Sequence, residues 1–489
     1  MSRKRDIAWS GVEAAVSGAF SLVSAFIVAR LIGPAELGVG AAVASVHVLL
    51  WVGVNALFAD AVVQRPELSE TDASSALWAS SLVGLITALV QAGAGWPLRA
   101  AMGDPRIGAM TLALALPLPL VGAAGVVQGR VTRARDYRLL ALRALLGQGA
   151  GTVVGVATAR HGAGAWAVVA QQATISATGA LTLLAGARWR PRLTWRWEPV
   201  RGLLRVGLPL TASTLVLHGR YRLFALLLGG TAGPAALGQV HMAFRLVDAV
   251  RELVSTALWR LMLPVMSERQ ADPPALLRQI DSALALIGVT LFPLCGAMLV
   301  GIAPLTRLLL GPAWAPAGLA ALPLVGVAAW LFLQFPSGVA CVARGAPQYA
   351  LRANLASTVA LVLGVLLLRP ATPLAAAWIW LAAQLLVAPY VLATTARLLG
   401  TPLFRPLRAG VPALAATALA SGVALLLSSL AGVGTERATI AARGAVVLLV
   451  FGVWCLTAPS PRPPPARGGG ACDSPLPLRE GVGGGGGTR

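Results

Sequence analysis

Apolar stretches of about twenty residues follow one another along nearly the whole chain, parted by short polar or basic connections. A helix of that length crosses a hydrocarbon layer of ~30 Å. Backbone groups in lipid must be paired within their own segment, so continuous apolar runs mean helices. The period-two alternation of a membrane barrel is absent. The pattern predicts helices over 8–32, 38–63, 74–96, 107–129, 139–159, 163–187, 203–229, 236–264, 282–311, 316–342, 350–369, 371–396, 409–432 and 438–457. The fold class is therefore all-α membrane protein with about fourteen spans, and short connections make consecutive helices antiparallel.

One short motif occurs twice. Gly33, Pro34, Ala35, Glu36, Leu37 and Gly38 return 200 residues later as Gly233, Pro234, Ala235, Ala236, Leu237 and Gly238. Both copies join two apolar segments. Glycine ends a helix and proline cannot continue it, so each copy predicts a tight turn between two helices. The match argues for two similar halves. A weaker echo agrees: Arg133 to Tyr137 and Arg344 to Tyr349 each place an arginine shortly before a tyrosine, after the fourth helix of each half. The basic, Trp-rich connection from Arg188 to Trp197 falls between the halves and reads as an interfacial anchor. The expected divisions are a six-helix bundle over 1–187, a basic cytoplasmic linker over 188–202, a second six-helix bundle over 203–397, two further helices over 398–457, and a Pro/Gly-rich tail over 458–489 expected to be disordered.

Composition sharpens this. Of 489 residues, 57% are hydrophobic and 12% charged, about half the charged share of a soluble domain. The net charge of +21 would suggest nucleic acid in a soluble protein, but the charges sit between apolar runs and report topology. With the N-terminus inside, basic residues concentrate on one side: Arg3 to Arg5, the clusters over 130–143 and 188–205, Arg344, Arg397 and Arg405 among them. Both termini are then cytoplasmic. Cys295, Cys341, Cys455 and Cys472 show no metal spacing, and the four histidines form no ligand pattern. No phosphate-binding loop or nucleophile elbow is present, so neither metal nor cofactor is expected.

The informative residues are charges inside apolar helices, each costing ~2.5–3.5 kcal/mol even on the lower scales unless it faces a bundle interior or a wet cavity. Glu13 lies in the first helix, Arg220 and Arg222 in the seventh, and Arg245, Asp248, Arg251 and Glu252 in the eighth. Arg245, Asp248 and Glu252 share one helical face. Two readings stand. Asp248 pairs with Arg245 or Arg251 in a self-neutralised face, or the arginines line a cavity for an anionic substrate. Glu13 suits a helix N-terminus, and equally a coupling carboxylate.

The run from Ala29 to Gly38, Gln64-Arg65, Ala236 to Gly238, Ala243 to Asp248 and Leu263 to Ser267 resemble the Wzx-type oligosaccharide and polysaccharide flippases. That family lies in the superfamily that also holds multidrug/toxin extruders and lipid II flippases. The resemblance covers about residues 5–457. It implies two six-helix bundles around a central cavity with two added C-terminal helices. It also implies alternating access that moves undecaprenyl-pyrophosphate-linked oligosaccharide from the cytoplasmic to the outer leaflet of the bacterial inner membrane. Its expected partners are the lipid-linked glycan, membrane lipids, and a polymerase and glycosyltransferases of the same pathway. Arg220, Arg222, Arg245 and Arg251 are then candidate diphosphate ligands, with Glu13 and Asp248 as coupling or cavity charges. The family often carries polar residues late in its seventh helix, whereas 224–230 is apolar here. A cation-coupled multidrug antiporter would want a more acidic cavity, and a membrane glycan polymerase or ligase a large external catalytic loop.

Overall fold

The computed structural model describes residues 3–65, 67–346, 348–430 and 436–457, and side chains from residue 18 on except those of 19, 217, 253, 436, 456 and 457. Its helices are α1 (Arg3–Gln64), α2 (Glu70–Met102), α3 (Ile107–Ala115), α4 (Leu118–Arg133), α5 (Tyr137–Arg160), α6 (Trp166–Gly186), α7 (Trp197–Ser267), α8 (Pro273–Leu310), α9 (Ala315–Ala343), α10 (Gln348–Leu368), α11 (Pro373–Leu399), α12 (Val411–Leu430) and α13 (Glu436–Thr457). Twelve helical stretches among the described residues are long and apolar enough to cross a membrane. Two of them, Phe20–Gln64 and His218–Ser267, run to 45 and 50 residues, about twice one crossing. Large apolar side chains such as Leu89, Leu116, Leu367, Leu386 and Leu430 are exposed on every part of the bundle. In water such a surface would aggregate; in a bilayer it is the lipid face. The chain is a multi-pass, all-α membrane protein.

Each over-long stretch breaks at its motif glycine. Gly33 has φ 78°, ψ 172° and Gly233 φ 83°, ψ 171°, a region open to glycine but strained for other residues. The expected multi-residue turn is in fact a single non-helical residue. Pro34 and Pro234 open the next helix at once, because the missing N–H of proline falls where a helix start has no acceptor for it. Other boundaries also move. The 107–129 helix is two pieces interrupted at Leu116 and Pro117. The 188–202 linker is shorter than expected, since α7 already starts at Trp197 with Glu198 in its first turn. The ten-residue loop expected over 97–106 shrinks to four residues, because α2 carries Pro97 inside it and runs on to Met102.

The two motifs pack against each other. A Cβ on Gly38 would collide with the Pro234 carbonyl oxygen, and one on Gly238 with the Pro34 carbonyl oxygen. Gly38 and Gly238 thus sit at a self-complementary crossing of α1 and α7, the most extensive helix pairing in the molecule. Only residues without a side chain let the backbones approach this closely. The inter-helix loops repeat as well. Ala134, Arg135 and Asp136 donate to the carbonyls of Arg130, Thr132 and Val131. Arg344, Gly345 and Ala346 donate to those of Ala340, Val342 and Cys341, the same turn 210 residues on. Arg135 (φ 57°) and Gly345 (φ 76°) fill its left-handed position.

Packing elsewhere follows the membrane rule of small residues at interfaces. Gly147, Gly151 and Gly155 on α5 lie against Gln171 and Ile175 of α6. A buried polar knot ties the first half together. His47 Nδ1 lies 3.1 Å from Gln91 Oε1, His47 Nε2 lies 3.1 Å from Ser176 Oγ, and Gln91 Nε2 donates to the Thr111 carbonyl at 3.3 Å. The connection 187–196 is held by α2: Arg192 and Arg196 N–H groups donate to Ser74 and Ser75 hydroxyls, and Trp78 Nε1 donates to the Arg192 carbonyl. Helices α12 and α13 pack on α8, and Arg405 makes a bidentate pair with Asp281 at 2.8 Å. That pair holds the Arg405 guanidinium above its usual pKa.

Candidate functional site

Helices α1, α4, α5 and α6 enclose a cavity of about 350 Å³ that α7 closes on one side. Its lining runs from Val28 and Leu37, within two helical turns of Gly33, to Leu183 near the end of α6. Helices α1, α4, α5 and α6 form most of the wall, and α7 contributes Arg222, His241 and Arg245. Arg222 stands eleven residues before Gly233 and Arg245 twelve after it. At 1.5 Å rise per residue both lie about 17 Å from the turns, near mid-depth of a ~30 Å core. Arg245 is exposed to this space and donates through Nη1 to Ser21 Oγ at 2.9 Å. Arg143 enters from α5 and donates to Gln128 Oε1 at 2.9 Å. None of the described lining residues carries a carboxylate.

A second cavity, about 260 Å³, is lined by His218, Arg220, Tyr221, Arg222, Asp248 and Arg251 together with Trp380 and aliphatic side chains. Arg222 is common to both. Tyr221 and His241 form the partition, with Tyr221 Oη 2.6 Å from His241 Nδ1. Phe244 and Trp380 pack edge-on against Tyr221, and Phe224 packs edge-on against Trp380. Arg220 is held by its surroundings: Nη1 donates to Ser357 Oγ at 2.8 Å and Gln384 Oε1 at 3.2 Å, and the guanidinium lies 4.9 Å from the Trp380 ring centroid. Arg251 pairs with Asp248 at 2.7 Å and with Glu252 at 3.6 Å.

The two sequence readings of these charges therefore divide by residue. Asp248 pairs with Arg251 and not with Arg245, whose guanidinium reaches across to Ser21 instead. The self-neutralised face is real for Asp248 and Arg251. Arg222 and Arg245 border the larger cavity, and Arg220 and Arg251 only the smaller one. Glu13 lies outside the described side chains, as does the tail after residue 457. Pro34, Gly38, Pro234 and Gly238 meet at the crossing described above, whereas a Cβ on Gly33 or Gly233 would meet nothing within 4 Å. The apolar run late in the seventh span is core: Phe224, Ala225 and Leu228 are buried.

The turn end of the first half carries an ionic clamp that charge inspection alone did not single out. Glu36 receives Arg106 Nη1 at 3.0 Å and Nη2 at 2.9 Å, and the Ala165 N–H at 2.6 Å. Arg106 also reaches Asp104 at 2.7 Å. Three connections of the first half thus meet on one carboxylate. The signal was the one mismatch in the repeat, Glu36 against Ala236. Hydrogen bonding to Arg106 holds the Asp104 carboxyl below its usual range and raises the Arg106 guanidinium. A carboxyl lowered on folding stabilises above its unfolded pKa, about 4, and that contribution is lost as pH falls through the lowered value. Asp104→Asn should therefore melt below the wild type by a constant interval from pH 8 to 5, and the interval should close in stronger acid. Thermal unfolding across that range checks it; an interval that widens on acidification contradicts it.

Comparison with known proteins agrees with this architecture. The chain is 24% identical over 312 residues to the succinoglycan biosynthesis transport protein ExoT of Rhizobium meliloti, covering 64% of this chain and 63% of that one. It is 23% identical over 215 residues to the amylovoran biosynthesis protein AmsL of Erwinia amylovora, covering 43% and 55%. The match thus spans less than two thirds of the length of either relative. Among solved structures, a lipid II flippase MurJ in an inward closed conformation superposes with TM-score 0.71 at 12% identity, over 92% of this chain and 98% of that one. An inward-facing multidrug resistance MATE transporter gives TM-score 0.57 at 15% identity, over 79% and 98%. These two show a shared fold. The family described as polysaccharide biosynthesis protein matches residues 27–318, and the chain belongs to it.

Proposed function

We propose that the protein is a flippase of polysaccharide biosynthesis. It carries the head group of an undecaprenyl-pyrophosphate-linked oligosaccharide from the cytoplasmic to the outer leaflet by alternating access. The observation that carries this reading is the cavity that α1, α4, α5 and α6 enclose against α7, with Arg222 and Arg245 about midway along their spans and no carboxylate among its described lining residues. A lipid-linked glycan has a doubly esterified diphosphate that cannot cross hydrocarbon, and a polyprenyl tail that never has to leave it. Guanidinium groups in a wet cleft meet the first need, since they bind phosphate oxygens in pairs. The fold shared with transporters and the transport role named for the ExoT relative support the same reading. A cationic lining does not suit a carrier of cationic drugs. The basic connection 187–196 faces the cytoplasm in this scheme, with both termini on that side, residues 1–187 and 203–397 as the two moving halves, and Glu13 as a candidate coupling carboxylate.

The test is reconstitution. Full-length protein in liposomes is supplied with an undecaprenyl-pyrophosphate-linked glycan, and a membrane-impermeant glycosidase reports the share of glycan in the exposed leaflet. The expected result is protein-dependent access to glycan that starts in the inner leaflet. Access no faster than in protein-free vesicles would overturn the reading.

A further inference from the structure

The cavity is chemically divided. Arg222 and Arg245 on α7 supply two cations, and Arg143 on α5 a third, which already donates to Gln128. The longer polar side chains otherwise facing the space from α1, α5 and α6 are neutral amides: Asn55 from α1, Gln148 from α5, and Gln171 and Gln172 from α6. Gln171 is committed, donating to Ser24 Oγ at 2.9 Å. Asn55, Gln148 and Gln172 are half-buried and form no side-chain hydrogen bond among the described residues. Amides embedded in apolar helices are costly unless they meet a partner, and these three stand on three helices that enclose one space. Trp51 lies one helical turn from Asn55 on the same face of α1 and lines the same wall.

We infer that this wall is a sugar subsite, reading the lipid-proximal sugar of an uncharged glycan segment while the α7 arginines hold the diphosphate. Each amide offers both a donor and an acceptor, as does each sugar hydroxyl. An indole supplies an apolar plane for the C–H face of a pyranose. A wall of carboxylates would repel a sugar phosphate, and a wall of arginines would hold acidic sugars alone; an amide wall rewards hydroxyl geometry. The inference rests on the flippase reading above and adds that sugar identity is read by the first half of the chain.

The experiment uses purified full-length protein and two probes, undecaprenyl pyrophosphate and undecaprenyl pyrophosphate bearing one neutral hexose, with galactose and glucose in separate arms. Wild type should bind at least one glycosylated probe about tenfold more tightly than the bare lipid, since each neutral hydrogen bond is worth roughly two- to tenfold. Asn55→Leu, Gln148→Leu and Gln172→Leu combined should erase that ratio and leave the bare-lipid affinity in place. Arg222→Gln with Arg245→Gln should weaken both probes together. If the triple variant fails to fold, Gln172→Leu and Asn55→Leu singly carry the test, each with a reduced ratio. A wild type that binds bare and glycosylated lipid equally, or variants that keep the full ratio, overturn the sugar wall and leave the flippase reading standing. A wild type that binds none of the probes overturns both.

Discussion

Gly38→Val and Gly238→Val should each destabilise the folded protein by roughly 3 kcal/mol or more, the upper end for overpacking. The expectation follows from what the new side chain would meet. At either position the obstacle is a backbone carbonyl, Pro234 for Gly38 and Pro34 for Gly238, and a carbonyl in a helix cannot rotate aside as a side chain can. The neighbouring backbone is close as well: a Cβ on Gly38 would stand 3.0 Å from the Gly238 nitrogen. Relief requires α1 and α7 to separate where they cross. Gly149 provides the contrast. It is also a helical glycine in the first half, but nothing lies within 4 Å of its added Cβ. Gly149→Ala should be neutral or stabilise by up to about 1 kcal/mol. Melting of the detergent-purified variants decides the matter. Gly38→Val melting together with wild type would mean that the crossing is looser than described.

Arg222→Gln and Arg245→Gln should each lower glycan translocation about 10- to 100-fold. A hydrogen bond to a charged partner contributes ~1.5–3 kcal/mol, and 1.4 kcal/mol is a factor of ten. Folding should be spared, because Arg245 has only the Ser21 hydroxyl to lose and both side chains border open space. Arg220→Gln should behave differently. Its guanidinium satisfies Ser357 and Gln384 and stacks on Trp380, so its loss should appear first as a lower melting point. Lysine at 222 or 245 should restore part of the rate, since it keeps the charge and loses the paired donors. The measurement is the glycosidase-accessibility vesicle assay described above, with melting recorded on the same variants. Rates within twofold of wild type for both single variants and the double variant would remove the arginines from the substrate path.

The helical architecture was legible because hydrocarbon leaves so few choices. Apolar run length decides where a helix lies, and a repeated Gly-Pro turn shows where one must reverse. What the chain alone did not display was how little is needed at Gly33 and Gly233, where one residue of positive φ replaces a loop. The number of crossings expected, about fourteen, depends on dividing the two kinked stretches of α1 and α7 at those residues. The arginines were visible as misplaced charges, but spacing along one helix could not say which of them would be neutralised. Asp248 had two equally spaced candidates, and only the packing of α7 decided for Arg251. Arg143 was counted only as a topology charge of the 130–143 cluster, and Asn55, Gln148 and Gln172 went unread for a different reason. Attention to formal charge passes over amides, although an uncommitted amide in an apolar helix carries the same message in a quieter form. The Tyr221–His241 contact was out of reach, since it joins residues on either side of a kink whose angle no local pattern specifies.

The carboxylate of the Glu36 clamp is not repeated at the second motif, where residue 236 is alanine. Three connections are therefore anchored to one carboxylate on one side, while at the other motif Gln239 donates to the neutral Ala313 carbonyl. A carrier built this way is lopsided in stiffness though symmetric in outline. Amide protons around 104–106 and 163–166 should exchange with solvent more slowly than those around 311–315. Any rocking at that end of the molecule would then proceed by the second half swinging against a braced first half.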